Sequence, residues 1–583
     1  MASDQKSAAS SSRLNQRSFG VTNKIWLLLL LCCFLFFVTH VFVPSAAPPP
    51  RLGTFTDARQ EPKNYLHEAS LLSPDGIVGG VNGSEQAASN PFDFCPVFGP
   101  NDDIAEKYGI MVLSQSRMHL GSGGRVHRVI QKALLGQPVI ISVLGGSVSA
   151  CHGAGDDPLS SKCYPSRFFQ WWTSIFPHPA SELTNGAMRR TNSGYFGYCS
   201  THHVPDYADL IVVEFDTDDG ADPKAMEHFE LLIRSLLDRP DQPAVLILGH
   251  FSPQVHQAHG YAGPEHLHNV VAQFYDVPHL SVKPILYPSY MVNPDLIKPY
   301  FADNILANAD GHALLADVLV SYFQSQICAA WATAAGHSYE TLPMMLAPGY
   351  NPSGDTHLFG GVGARKGVPE PKKADKAGKE KDAKEKAEKD GAGGKDKGTG
   401  GEGAKTDPIP IYPELRIPPV RIGTRAGEQR PFEEPAPFCA SANDLVNPLP
   451  PSLFYGSGWH NARPPSGTSP LLTAGYHWYA TQPMSKLRVP IKTGAGDVGI
   501  YFLKEPLGGG EGEGEGSAVE CWVDDNFGGA KIIEGRGQVG AATPTLEIID
   551  HYVSRGNHYV ECVLLGDEGV EVSPFKIIGI FAT

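Results

Sequence analysis

The chain has no excess of basic residues and no cysteines paired at metal-ligand spacing. Lys and Arg total 47 against 62 Asp and Glu, a formal net charge of -15 over 583 residues. That balance argues against a general nucleic-acid binder, because binding a phosphate backbone requires a basic surface that releases counterions. Zinc-type CxxC pairs are absent. Histidine does not take their place. His250, His256, His259, His266 and His268 crowd one stretch, but their irregular spacing matches no common metal motif, and they read as a solvated loop and helix face. No metal and no cofactor is expected.

Long apolar runs are scarce as well, with one exception. Residues 25–43, IWLLLLLCCFLFFVTHVFV, are uncharged and long enough to cross a hydrocarbon core. The run is long for the apolar region of a cleaved signal peptide, and the polar stretch before it is longer than usual, so it reads as an uncleaved anchor. Lys6, Arg13, Arg17 and Lys24 precede it against a single acid, Asp4. The positive-inside rule then keeps 1–24 cytoplasmic and makes the chain a single-pass type II membrane protein of the Golgi, secretory pathway or cell surface.

What remains has globular composition, 42% hydrophobic and 19% charged, and enough length for about two to four domains. Two of the ten cysteines, Cys32 and Cys33, lie in the apolar run; eight are left for an oxidising compartment. Connectivity does not follow from sequence, although Cys151 with Cys163 and Cys521 with Cys562 would each close a modest loop. Asn82-Gly83-Ser84 is a glycosylation sequon on the luminal side of the anchor.

Residues 44–101 are rich in Pro, Ala, Ser and Gly and read as a stalk. From 102 to 331 apolar runs such as PVIISVLGG, DLIVVEFD and PAVLILGH alternate with helical patterns such as KAMEHFELLIRSLLDR and GHALLADVLVSYFQSQI. Such alternation predicts a parallel sheet covered by helices on both faces, a three-layer α/β domain. Residues 332–412 form a linker whose segment 365–405 is charged, glycine-rich and almost devoid of large apolar residues, and so is expected to be disordered. From 413 to 583, short runs such as DVGIYFL, AVECWVDD and HYVECVLL separated by Gly, Pro and Asp predict an all-β sandwich.

The candidate chemistry lies at VIISVLGGSVSACHG. Ser147 follows an apolar strand in a glycine-flanked turn, at the edge where open α/β sheets place ligands. Taken alone, this describes a turn serine as well as a nucleophile. With the GGSVS block the chain resembles the SGNH or GDSL family of esterases, and further blocks follow in order: 185–196 (NGAMRRTNSGYF), 209–220 (DLIVVEFDTDDG) and 300–312 (YFADNILANADGH). The resemblance implies Ser147 as nucleophile beside Gly146, with Asp303 as the acid of the triad. It also exposes losses. Leu306 stands at the position of the catalytic histidine and Ala307 at that of the following proline; Asp218 replaces the oxyanion asparagine and Arg190 the oxyanion glycine. His312, at the position of the family's trailing histidine, is left as the alternative base. The final sandwich resembles a carbohydrate-binding module, and a structural accessory role is equally open.

Two readings follow: an O-acyl or O-acetyl esterase acting on a glycan, or a catalytically silent relative that binds or organises polysaccharide. The expected partners are thus a glycan or acylated carbohydrate and, through the anchor, a membrane. The opposite charges of Arg190 and Asp218 further suggest a salt bridge plugging the site, with an Arg190 that binds an anionic glycan as the competing arrangement. Protease added to intact vesicles is expected to spare the bulk of the chain and leave a glycan on Asn82, and after lysis to cut first within 365–405. Digestion of the C-terminal region from outside the vesicles would overturn this topology.

Overall fold

The computed structural model describes residues 17–18, 21–22, 61–69, 90–335, 415, 417–427, 432–443, 455–465, 475–494, 496–507 and 517–583. The anchor, the sequon and the charged linker segment lie outside these residues. Residues 1–60 form a separate unit, in which β1 (Arg17–Ser18) and β2 (Val21–Thr22) pair antiparallel. Everything below concerns the second unit, 61–583.

Its first part is a six-stranded sheet: β3 (Arg117–His119), β4 (Ile140–Gly145), β5 (Glu182–Asn185), β6 (Leu210–Glu214), β7 (Ala244–Gly249) and β8 (His279–Ser281). The spatial order is β3-β8-β7-β6-β4-β5, all parallel except the β3-β8 pair. β4, β6 and β7 are almost wholly buried, as unbroken β-branched and leucine runs must be when helices cover both faces. The longest helices are α1 (Gly124–Leu134), α2 (Tyr164–Ile175), α3 (Ser193–His203), α4 (Pro223–Leu237), α5 (Pro264–Phe274) and α6 (Ala309–Ala334). Asp222 caps α4 by accepting from the Lys224 and Ala225 N–H groups, and Pro223 follows at the first helical position. Among the described residues α6 alone is long and apolar enough to cross a membrane, but 72% of its apolar window is buried, which makes it a core helix.

The chain leaves β4 to pair with β5, then returns to the other side of β4 with β6. The order reverses between β4 and β6, which creates a crevice at their carboxyl ends. Ser147 follows β4 and Asp218 follows β6, so both lie at that switch point.

The second part comprises β9 (Phe438–Ser441), β10 (Tyr455–Ser457), β11 (His460–Ala462), β12 (His477–Ala480), β13 (Lys486–Thr493), β14 (Gly496–Pro506), β15 (Ala518–Val523), β16 (Lys531–Glu534), β17 (Arg536–Gly537), β18 (Thr543–Val553), β19 (Gly556–Leu564) and β20 (Phe575–Ala582). These form one sheet ordered β10-β13-β19-β15-β16 and another ordered β11-β12-β20-β14-β17, with β18 on β14 and β9 on β20. Alternation along β13, KLRVPIKT, sends Leu487, Val489 and Ile491 into the inter-sheet core with Ile500, Phe502 and Ile577.

Four disulfides join Cys95 to Cys328, Cys151 to Cys163, Cys199 to Cys439 and Cys521 to Cys562. The last pair occupies directly opposed positions on β15 and β19.

Two features depart from the sequence reading. Part of the expected stalk is packed: Tyr65, Leu66 and Phe92 are buried in the core over α2 and α6, because a segment carrying large aromatics gains more by burial than a solvated spacer does. In addition, residues 417–427 and 432–434, assigned to the sandwich, run across the α/β domain before the first sandwich strand. There the Arg234 guanidinium, 1% exposed, pairs with Glu434 and donates to the carbonyls of Pro418 (2.9 Å) and Val420 (3.1 Å). Glu230 accepts from the Ile422 N–H at 2.7 Å. Replacing Arg234 with Ala is expected to cost about 3 kcal/mol, the low end of the range for breaking a buried pair because Glu434 can be resolvated. Thermal melts would show the loss, and proteolysis would open 417–434 first. An unchanged melt would mean that the segment is held by apolar contacts alone.

Candidate functional site

Ser147 opens a helical turn directly after β4, in which the Ala150 N–H donates to the Gly146 carbonyl and the His152 N–H to the Ser147 carbonyl. Its side chain is nearly buried, at 7% exposure. Three contacts fix it. The Arg190 N–H donates to Oγ at 2.9 Å, the Ser147 hydroxyl donates to Asp218 Oδ1 at 2.9 Å, and the Ser147 N–H donates to Asp218 Oδ2 at 2.8 Å. The Thr217 hydroxyl adds a further donor to Asp218 at 3.0 Å. Gly146 makes this approach possible, since a Cβ there would overlap the Asp218 carboxylate. The Gly146 N–H itself is spent on the Glu214 carbonyl.

Ser147, Arg190 and Asp218, drawn from three separated segments, therefore meet at one point. The expected Arg190–Asp218 plug does not form. Among the described residues no ion pair or side-chain hydrogen bond joins them; the Arg190 side chain is exposed, and only its backbone reaches the site. Arg190 adopts φ 53°, a left-handed conformation that costs a non-glycine residue about 1–2 kcal/mol.

The predicted triad partners are not assembled. Leu306 is buried beneath the loop that follows Ser147, where Gly153 packs on it: a Cβ at Gly153 would lie 3.0 Å from the Leu306 Cβ and 2.7 Å from the Ala307 carbonyl. Asp303 is exposed and caps a turn, accepting from the Ile305 and Leu306 N–H groups, each at 2.7 Å. His312 is fully buried. Its Nδ1 accepts from the Tyr164 N–H at 3.3 Å and its ring stacks on Tyr164. Burial, reinforced by His250 and Arg167, pushes its pKa down to about 3. An imidazole so enclosed, and not bonded to Ser147, does not serve as its base. This corrects the expectation for His312, and the physical reason is that the first turn of α6 points into the core.

Charge is unusually dense beneath the site. Asp216 and Asp219, both buried, are bridged by His268, whose Nδ1–H donates to Asp216 at 2.7 Å and Nε2–H to Asp219 at 2.9 Å, with the ring stacked on Phe229. Burial pushes the His268 pKa down, but hydrogen bonds and charge from both carboxylates outweigh it and lift the value to about 9. Asp218 lacks such a partner. Burial raises its pKa to about 6 against the lowering effect of its bonds from Ser147 and Thr217, with Asp219 adding to the rise. Glu214 is pushed well above the carboxylate range by burial and by Asp218 and Asp216; it accepts from the Ser149 hydroxyl at 2.9 Å, and Ser149 in turn pairs with Tyr164.

Sequence reasoning missed His268, because it read the histidine cluster as solvated; nothing in the spacing links a residue on α5 to a loop about fifty positions earlier. It also missed a partly exposed group beside Ser147. Arg189 donates to His152 Nε2 at 2.6 Å, His152 Nδ1–H donates to Asp156 at 2.5 Å, and the Arg189–Asp156 separation is 3.6 Å.

The chain matches no protein-family model, and no curated protein is similar to it in sequence. Among solved structures it is similar to a two-domain esterase active on acetylated mannans, co-crystallized with mannopentaose, with 15% identity and a TM-score of 0.51 over 81% of this chain and 97% of that one. A second structure of a two-domain esterase active on acetylated mannans gives 16% identity and the same TM-score over 81% of this chain and 98% of that one. The likeness is one of fold, and its extent takes in the α/β domain together with the sandwich.

The His268 bridge has a measurable signature. Its folded pKa of about 9 lies above the unfolded value near 6.5, so its contribution to stability is fully present below pH 6.5 and lost as pH rises through 9. Melting temperature is expected to fall from pH 7 to 9.5 more steeply in the native chain than in His268→Gln. Parallel pH profiles would overturn the bridge.

Proposed function

We propose that the chain is a carbohydrate-directed protein of the SGNH hydrolase type, held in the secretory pathway or at the cell surface by residues 25–43, that receives an acylated glycan at Ser147 without serine–histidine turnover. One observation carries this: Ser147 is clamped between the Arg190 N–H and the Asp218 carboxylate, while Leu306 fills the place of a base. Position at the sheet's switch point and the fold likeness to an esterase active on acetylated mannans support a carbohydrate ligand. The domain limits proposed are 102–331 for the α/β domain and 413–583 for the sandwich with its leading strap.

The magnitudes favour recognition over rapid hydrolysis. Removing one oxyanion donor costs about 10²- to 10³-fold in rate, and a carboxylate in its place repels the developing charge. A triad without its base retains only about 10³- to 10⁴-fold over water.

A second reading, slow acyl hydrolysis, is favoured by one contact: Ser147 donates its proton to a carboxylate whose pKa of about 6 suits a base near neutrality. In that case Asp218 takes the Ser147 proton as Oγ attacks the acyl carbon and returns it to the departing glycan oxygen as the ester bond breaks; Asp218 then takes a proton from the water that attacks the acyl-serine and gives it back to Ser147 Oγ as the free acid leaves.

Acetate release from acetylated oligosaccharides by the full chain discriminates the two. Recognition predicts release no faster than from Ser147→Ala, with binding retained by the native chain. Ser147-dependent release that rises with pH through about 6 would instead establish the hydrolase. Failure of the full chain to bind any acylated oligosaccharide would remove both readings.

A further inference from the structure

Two arginines stand side by side at the mouth of the Ser147 site, and their bonding differs. Arg189 is 13% exposed; its terminal nitrogens are engaged with His152 and Asp156, while its Nε–H is buried without a partner. Arg190 spends its backbone N–H on Ser147 Oγ, and among the described residues its exposed guanidinium makes no hydrogen bond or ion pair. The surface cluster thus holds two arginines against one carboxylate, Asp156, on a chain whose net charge is -15. Beneath them, Asp218 is partly buried and occupied by Ser147 and Thr217, and Asp216 and Asp219 are engaged by His268.

The backbone at Arg190 adds an independent observation. Glycine would occupy φ 53° without strain, whereas a long cationic side chain there makes the fold less stable and contributes no described contact in return. Strain kept at a ligand-binding edge points to a role in binding.

We infer that Arg190, supported by Arg189, forms an anion subsite beside Ser147 that selects acidic glycans, by pairing with a uronate carboxylate or a sulfate on the sugar that carries or adjoins the acyl group. A guanidinium fork matches either group through paired N–H donors. The remaining surface of a -15 chain repels the same ligands, so the subsite confers selectivity and not general attraction. The inference rests on the proposed site for an acylated glycan and names its substrate class.

The test uses the full chain in mild detergent with three probes of equal length: an acetylated hexuronate oligomer, a neutral acetylated hexose oligomer and a sulfated acetylated oligomer. Calorimetry is expected to show at least one acidic probe binding about tenfold or more tighter than the neutral one at low salt. Arg190→Ala, which keeps the backbone N–H that bonds Ser147, should weaken the acidic probe about tenfold more than the neutral one, and Arg190→Lys should recover only part of that difference. Arg190→Gly should lose the selectivity yet raise the melting temperature by about 2 °C, the opposite of what a merely structural arginine predicts. Uronate and sulfate preference separates the two sources of the anion. Equal binding of neutral and acidic probes, or an Arg190→Ala effect equal on both, overturns the subsite while the glycan site stands. Binding of none of the probes overturns both.

Discussion

The imidazolium of His268 is the contact on which the site depends. The loop after β6 carries Asp216 and Asp219, both buried, and Asp218, which is partly buried. Three carboxylates within four residues, two of them buried, repel one another and resist desolvation, so positive charge supplied from within steadies the loop. His268 supplies it to two of them at 2.7 and 2.9 Å. The third, Asp218, is left between them in sequence with only neutral donors, and its raised pKa is the electrostatic consequence. Ser147 is thereby held by a group whose charge is itself poised near neutrality.

The same loop meets the sandwich. Tyr501 on β14 is buried against Tyr195 of α3 and Phe581 of β20, and its pKa is raised by burial, by Tyr195 and by the charges of Asp218 and Asp219. The Cys199–Cys439 disulfide and the strap ending at Glu434 fasten the two parts on the same side. Both parts share one apolar cluster, in which Phe196 and Phe229 join Tyr501, Ile578 and Phe581. The sandwich is therefore packed into the helical layer beside the site, not suspended from it.

At Ser147 itself, two charged residues act differently in three dimensions. Asp218 places its carboxylate directly on the serine, whereas Arg190 contributes only a backbone N–H and turns its side chain outward. A backbone donor is indifferent to residue type as long as the left-handed φ is tolerated, which is why Arg190 can still reach the serine. Leu306 seals the space under the Gly153 loop with apolar packing.

The sequence by itself determined the order of elements. Runs such as IISVLG and AVLILG can only be buried strands, KAMEHFELLIRSLL has helical period, and the alternation along KLRVPIKT defines a strand with one face inward. These are local patterns, fixed by side-chain periodicity; that Ser147, Arg190 and Asp218 meet is a contact of the tertiary structure. Only the tertiary structure decided what depends on distant partners: that Tyr65, Leu66 and Phe92 leave the stalk for the core, that His312 faces inward onto Tyr164, that His268 is an ion bridge and not a solvated histidine, and that Arg190 avoids Asp218. Burial and protonation state are set by the groups that surround a residue in space, and no spacing along the chain encodes which groups those are.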